Sequence, residues 1–187
     1  YQPTKIHFGE HRLEELGDIC KKYGERVFLV TTADAPLQPL YERVKSLLAA
    51  VDMQVIHFDK VEPNPSAEMI EEGFAMLKEH PCDVVLAVGG GSSIDTAKAL
   101  AFTNGQDKIV WEEIFAYDSP FVDYGPYSDT VLPIITVPTT SGTGSQLTQA
   151  SVITKGTEKI TFYHSSLFSK ECILDSELTL TLPKRIT

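Results

Sequence analysis

The run Asp83 to Val88 (DVVLAV), followed at once by Gly89, Gly90 and Gly91, constrains this chain more than any other feature. An apolar stretch without alternation reads as a strand buried on both faces, as in a parallel sheet. Helical spacing then runs from about Ser93 to Phe102. Glycines at such a joint let a ligand approach the backbone closely and permit positive φ. The first turn of the following helix offers unpaired N–H groups and a partial positive charge. Together these make an anion site suited to phosphate or pyrophosphate. It falls at the carboxyl end of a parallel strand, where open α/β sheets bind ligands. The plain alternative is a tight turn with Ser92 and Asp95 as a capping pair. Three glycines are more than capping needs. The run is not GxGxxG, because Ile94 takes the third glycine's place, and it is not GxxxxGK[ST].

The same alternation extends through the first hundred residues. A helix is predicted from His11 to Tyr23 (Leu13, Leu16, Ile19), stopped by Gly24. A strand follows at Arg26 to Thr31 (RVFLVT), then a helix at Leu37 to Ala50 and a strand at Val55 to Phe58. Pro63-Asn64-Pro65 is a stiff turn, and Ser66 caps a helix that ends near His80. Repeated βαβ units give a parallel sheet with helices on both faces and right-handed crossovers. The expected class is α/β and Rossmann-like. Asn104 to Tyr127 reads as a surface excursion with one short helix, Val110 to Phe115. Leu132 to Val137 (LPIITV) is a further strand, ended by Pro138. Ala150 to Thr154 and Lys159 to Tyr163 read as a β-hairpin with Lys155-Gly156 in the turn, and Cys172 to Leu174 as a last strand. No linker divides the chain.

Composition narrows the partners. Net charge is -10, from 16 basic and 26 acidic residues, the opposite of a nucleic-acid binder's balance. An anionic membrane surface would repel such a chain, and no apolar run approaches the roughly 20 residues of a membrane-spanning helix. No signal-peptide pattern opens the chain. It starts at Tyr1 without Met, as a processed product or an excerpt would. Cys20, Cys82 and Cys172 are odd in number and far apart, without a CxxC pair, which fits a reducing compartment, the cytoplasm. His7 and His11 have metal-ligand spacing, but Gly9 between them and the alternating KIHF stretch favour ordinary histidines.

A second candidate loop is Pro138-Thr139-Thr140-Ser141-Gly142-Thr143-Gly144-Ser145. Its hydroxyls and amides suit a nucleotide groove, and two such loops after two buried strands suggest one shared ligand. Neither loop carries a His, a GxSxG elbow, or any carboxylate besides Asp95. The chain shows cofactor-binding chemistry and no bond-breaking chemistry, so no catalytic or metal residue is assigned.

Four motifs occur in order: VEPNPS (Val61 to Ser66), AVGGGSSIDTAKA (Ala87 to Ala99), PTTSGTGSQLT (Pro138 to Thr148) and ILDSELTLTLP (Ile173 to Pro183). In these the chain resembles the amino-terminal domain of iron-containing (group III) alcohol dehydrogenases, within the dehydroquinate-synthase-like superfamily. The resemblance implies an α/β domain binding NAD or NADP over residues 1–187. A helical domain after 187 would hold a divalent metal, Fe or Zn, through Asp and His, in the complete enzyme only. Small alcohols or carbonyls would be the substrates, and a homodimer or higher oligomer is the implied assembly.

The resemblance also implies contacts. Asn64 would touch the nicotinamide-side ribose or phosphate. Gly90, Gly91 and Ser92 would hold the pyrophosphate, and Asp95 would sit near the nicotinamide. Thr139, Thr140, Thr143 and Thr148 would line the adenosine and ribose side. Lys159 would contact a ribose and Leu178 would pack near the adenine. Many NAD-preferring relatives carry Asp where this chain has Thr32; without that carboxylate NADP is admissible, unless Asp34 replaces it. Gln146 stands where Glu is common. Glycerol or polyol dehydrogenases, maleylacetate reductases and a non-catalytic nucleotide-binding module are the alternatives. The ELT…LP motif favours the alcohol dehydrogenase branch.

Overall fold

The computed structural model describes residues 2–180. Six strands form one wholly parallel sheet: β1 (Lys5–Phe8), β2 (Arg26–Thr32), β3 (Gln54–Val61), β4 (Val84–Gly89), β5 (Ile134–Pro138) and β8 (Glu171–Leu174), in the order β1-β8-β5-β4-β2-β3. The hairpin of β6 (Ala150–Lys155) and β7 (Glu158–Tyr163) stands apart as an antiparallel pair. The helices are α1 (Leu16–Lys21), α2 (Gln38–Ala49), α3 (Ala67–Glu79), α4 (Gly91–Thr103) and the short α5 (Trp111–Ile114).

Side chains alternate between two cores, one on each face of the sheet. Val27 and Leu29 of β2 and Val84, Leu86 and Val88 of β4 join Tyr41, Val44 and Leu48 of α2. Phe28 and Val30, with Val85 and Ala87, join α3, α4 and the hairpin's Ile153 and Phe162. Burial on both faces explains why these strands are apolar without interruption. The chain leaves β2 toward one edge of the sheet, through α2 to β3, and leaves β4 toward the other, through α4 to β5. A crevice opens between such strands at their carboxyl ends, which is the binding place in open α/β sheets.

Several expectations are corrected. The segment from His11 to Tyr23 is not one helix. His11 takes a left-handed conformation (φ 61°), Arg12–Glu15 is a 3₁₀ turn, and α1 begins only at Leu16. The KIHF stretch is an edge strand, β1, paired with β8. The hairpin turn is Gly156-Thr157, since Lys155 pairs with Glu158 and the positive φ (63°) falls on Gly156. Pro138 belongs to β5 opposite Gly89: the last residue of a strand needs no N–H of its own there. The Asn104 to Tyr127 excursion is packed, not merely superficial: Phe102 of α4 stacks on Tyr127 (3.8 Å between centroids) and meets Tyr117 edge-on. The end of the ELT…LP motif, Leu182 and Pro183, and the expected boundary at 187 lie outside the described residues.

Candidate functional site

β4 delivers the glycines to the crevice. Gly89 has φ 150°, and a Cβ there would fall 2.4 Å from Ser93 Oγ. Gly90 is the N-cap of α4 and offers no side chain to its first turn. The first helical bond is the Ile94 amide to the Gly90 carbonyl (3.2 Å), so the amides of Gly91, Ser92 and Ser93 are the unpaired donors of a helix start. The capping pair of Ser92 and Asp95 does not form: Ser92 lies inside the helix, and Asp95 is buried with only 8% exposure. Ser93 Oγ is buried without a hydrogen-bond partner.

The second loop supplies the opposite wall. The Thr139 amide donates to the Gly89 carbonyl (3.0 Å), locking the two loops together. A Cβ on Gly90 would sit 3.3 Å from Thr140 Oγ1, and one on Gly91 would sit 3.1 Å from Thr143 Cγ2. The glycines therefore keep open a cradle that any larger residue would fill.

Two chambers meet at Gly91 and Ser92. The larger, about 490 Å³, is lined by Gly90, Thr139, Thr140 and Leu178 together with Thr32, Asp34, Leu37 and Ser93. The smaller, about 300 Å³, is lined by Asn64, Asp95, Thr143, Ser145, Thr154 and Lys159. Of the four threonines expected to act together, Thr139 and Thr140 line the larger chamber and Thr143 the smaller, because the loop turns over Gly91 before it reaches β6. Thr148 lines neither chamber; its carbonyl and hydroxyl face Lys98 (2.7 and 3.2 Å).

Thr32 and Asp34 act together. Thr32 Oγ1 donates to Asp34 Oδ2 (2.9 Å) and lies 2.9 Å from the hydroxyl of the fully buried Tyr41. The carboxylate is thus tethered at the carboxyl end of β2. In the smaller chamber Lys159 Nζ donates to Asn64 Oδ1 (2.6 Å), which joins the hairpin to the PNP turn; Asn64 holds a left-handed φ of 60°. Burial pushes the Asp95 carboxyl above the ordinary carboxylate range, opposed by the Lys98 charge, the Val152 amide and the Ser145 hydroxyl. Burial likewise pulls Lys98 down, opposed by Asp95.

Ser93, Lys98 and the Thr32–Asp34 tether were not singled out as a working set from sequence. A lysine set in the small and apolar run Ala97 to Phe102 was the one available signal. Among the described residues no group of three or more His, Cys, Asp or Glu side chains could hold a metal ion. No described helix is long and apolar enough to cross a membrane.

Residues 3–176 match the family model for iron-containing alcohol dehydrogenases. The chain belongs to that family. Among relatives, the chain is 33% identical to NADH-dependent butanol dehydrogenase A of Clostridium acetobutylicum, over 99% of this chain and 46% of that protein. It is 36% identical to a probable NADH-dependent butanol dehydrogenase 2 of Bacillus subtilis, over 100% of this chain and 47% of that one. The solved structure of an iron-containing alcohol dehydrogenase from Thermococcus thioreducens superimposes with a TM-score of 0.87 at 28% identity, covering 100% of this chain and 49% of that chain. The chain thus spans about half the length of the family members it matches. The resemblance in the four motifs and the α/β fold with its separate hairpin are borne out.

Proposed function

We propose that this chain is the dinucleotide-binding part of a metal-dependent alcohol dehydrogenase, transferring hydride between a nicotinamide cofactor and a small alcohol, aldehyde or ketone. The observation that carries the reading is the cradle at the start of α4: two glycines at which a Cβ would crowd Thr140 and Thr143 of the facing loop, three unpaired amides and an orphaned buried hydroxyl at Ser93. These residues fit a dinucleotide. When bound, the nicotinamide ring supplies the hydride donor or acceptor. The chain's own groups bind and aim it. The amides of Gly91, Ser92 and Ser93 donate to the pyrophosphate, and Ser93 Oγ finds there the partner it lacks. Leu37 and Leu178 pack on the adenine. Asp34 accepts from the ribose 2′-hydroxyl, as an acidic residue at a neighbouring strand's end does in other α/β sites. Asn64, Asp95, Thr143 and Lys159 surround the nicotinamide half, whereas Thr148, bound to Lys98, supports the loop from outside both chambers.

A tethered carboxylate at the 2′ position repels a 2′-phosphate. We therefore infer NAD over NADP, in keeping with the NADH-dependent relatives. From the family membership and the half-length match we place the metal, Fe or Zn, and a helical domain that holds it outside the described residues. Three buried free cysteines suit the cytoplasm. The outer edge of β1, with Ile6 43% and Phe8 74% exposed, supports a homodimer or higher oligomer.

Fluorescence titration with NADH and NADPH tests the proposal. NADH is expected to bind and NADPH to bind more weakly, with Asp34→Ala narrowing the gap. Absence of saturable binding by either nucleotide would overturn the reading.

A further inference from the structure

Lys98 has no place in the binding scheme above, yet it is a cation with no solvent exposure at the centre of α4. Burying an ammonium is costly unless every proton finds an acceptor. Its Nζ reaches the carbonyls of Ser145 (2.6 Å), Thr148 (2.7 Å) and Ala150 (2.8 Å), and Thr148 Oγ1 at 3.2 Å. All four acceptors lie on one stretch of chain, from the end of the loop between β5 and β6 to the first residue of β6.

That loop has little to hold it from within. Gly142 and Gly144 take positive φ in open space. The internal bonds are short-range, such as the Leu147 amide to the Gly144 carbonyl (2.9 Å). Other outside tethers are the exposed Gln2 Nε2 to the Leu147 carbonyl, Gln149 Nε2 to the Pro120 carbonyl (2.9 Å), the His164 amide to the Gln149 carbonyl (3.0 Å) and, at the loop's start, the Thr139 amide on Gly89, but none of them reaches Ser145. Yet the loop must place Thr143 and Ser145 within van der Waals reach of the position a Gly91 Cβ would take. One turn before Lys98 on the same helix, Asp95 lines the same chamber.

We infer that Lys98 is a positioning residue for the smaller chamber of the groove: by gathering three carbonyls of this stretch it sets Thr143 and Ser145 over Gly91 and Asp95, and so fixes the half of the site that receives the nicotinamide. The inference rests on the dinucleotide reading. It also divides the site. The larger chamber is lined by the ends of β2, β4 and β5, by the first turn of α4 and by Leu178, and Lys98 donates a hydrogen bond to none of its lining residues.

The division makes the test. ADP fills only the adenosine and pyrophosphate half, whereas NADH fills both. In the unaltered chain both are expected to bind. Lys98→Met, which keeps the stem and removes the donors, is expected to weaken NADH by about tenfold or more while ADP stays within about twofold. Lys98→Gln, with two donors on a shorter stem, should fall between. Thermal melting run alongside shows that each variant folds. An equal loss of ADP and NADH, or no loss of either, overturns the positioning role and leaves Lys98 a packing residue. Failure of both variants to fold does the same. If the unaltered chain binds neither ADP nor NADH, the dinucleotide reading itself fails, which is a separate result.

Discussion

At the scale of single residues the glycines at the strand-to-helix joint divide the work. Gly89 is conformational: its φ of 150° and the nearby Ser93 Oγ leave no room for a Cβ. Gly91 is steric toward the ligand: it lies in the first turn of α4 with ordinary helical φ, and a side chain there would meet Thr143. Gly91→Val is accordingly expected to melt close to the parent but to lose about 1–3 kcal/mol of NADH binding, the usual cost of buried polar groups left unpartnered. Calorimetry with thermal melting checks it; unchanged binding would make the loop a plain turn. Gly89→Ala should instead lower the melting temperature, by an amount equivalent to more than about 1 kcal/mol. Thr32→Val removes the tether on Asp34, and the preference for NADH over NADPH is expected to shrink by severalfold in paired titrations. Gly90 and Gly91 stood out in the sequence because three glycines after a buried strand are more than a capped turn needs. Ser93 was not. Whether its hydroxyl has a partner depends on the surrounding fold, and no local pattern records that.

Among the elements, the strands with apolar runs were legible because both faces of the sheet are covered. β1 was not, since an edge strand of four residues with burial on one residue only carries no such run. Its place is set instead by a polar cluster at the start of β8. Glu171 is buried and receives His7 Nε2 (2.5 Å) and Tyr23 OH (3.0 Å), with Lys22 and Lys5 at 3.5 and 3.7 Å. Burial alone would raise its carboxyl, but those hydrogen bonds and charges outweigh it and hold the group below its ordinary 4.5. A lowered pKa in the folded state means stability that is present above pH 4.5 and is lost as pH falls through the folded value. Glu171→Gln is therefore expected to destabilise by on the order of 1–2 kcal/mol near pH 7. The gap to the parent should narrow as pH falls below 4.5 and the carboxyl takes up its proton. Melting curves near pH 7 and along a series below pH 4.5 decide it, and a gap that stays constant would remove the charge from the account. α1 likewise owes its late start to a left-handed His11, a backbone choice that the apolar spacing of Leu13, Leu16 and Ile19 does not encode.

For the whole molecule, binding and chemistry separate along the chain. The groove proposed for the dinucleotide lies at the carboxyl ends of β2, β4 and β5, with the PNP turn and the hairpin lining its smaller chamber. The donors for a metal do not converge anywhere among the described residues. Relatives bearing dehydrogenase names are about twice as long as this chain. Polarisation of an alcohol oxygen by a Lewis acid needs a fixed ligand set close to the nicotinamide, and the smaller chamber offers one carboxylate, Asp95, whose buried position disfavours its charge. The 187-residue chain by itself is thus expected to bind NADH saturably and to show no oxidation of butanol, even with Fe(II) or Zn(II) added. Fluorescence titration gives the first half and absorbance of NADH formed over hours gives the second. Turnover by this chain, free of contaminating enzyme, would mean that its own residues assemble a reactive site. Asp95 with Lys159 would then be the pair to alter first, because both line the smaller chamber.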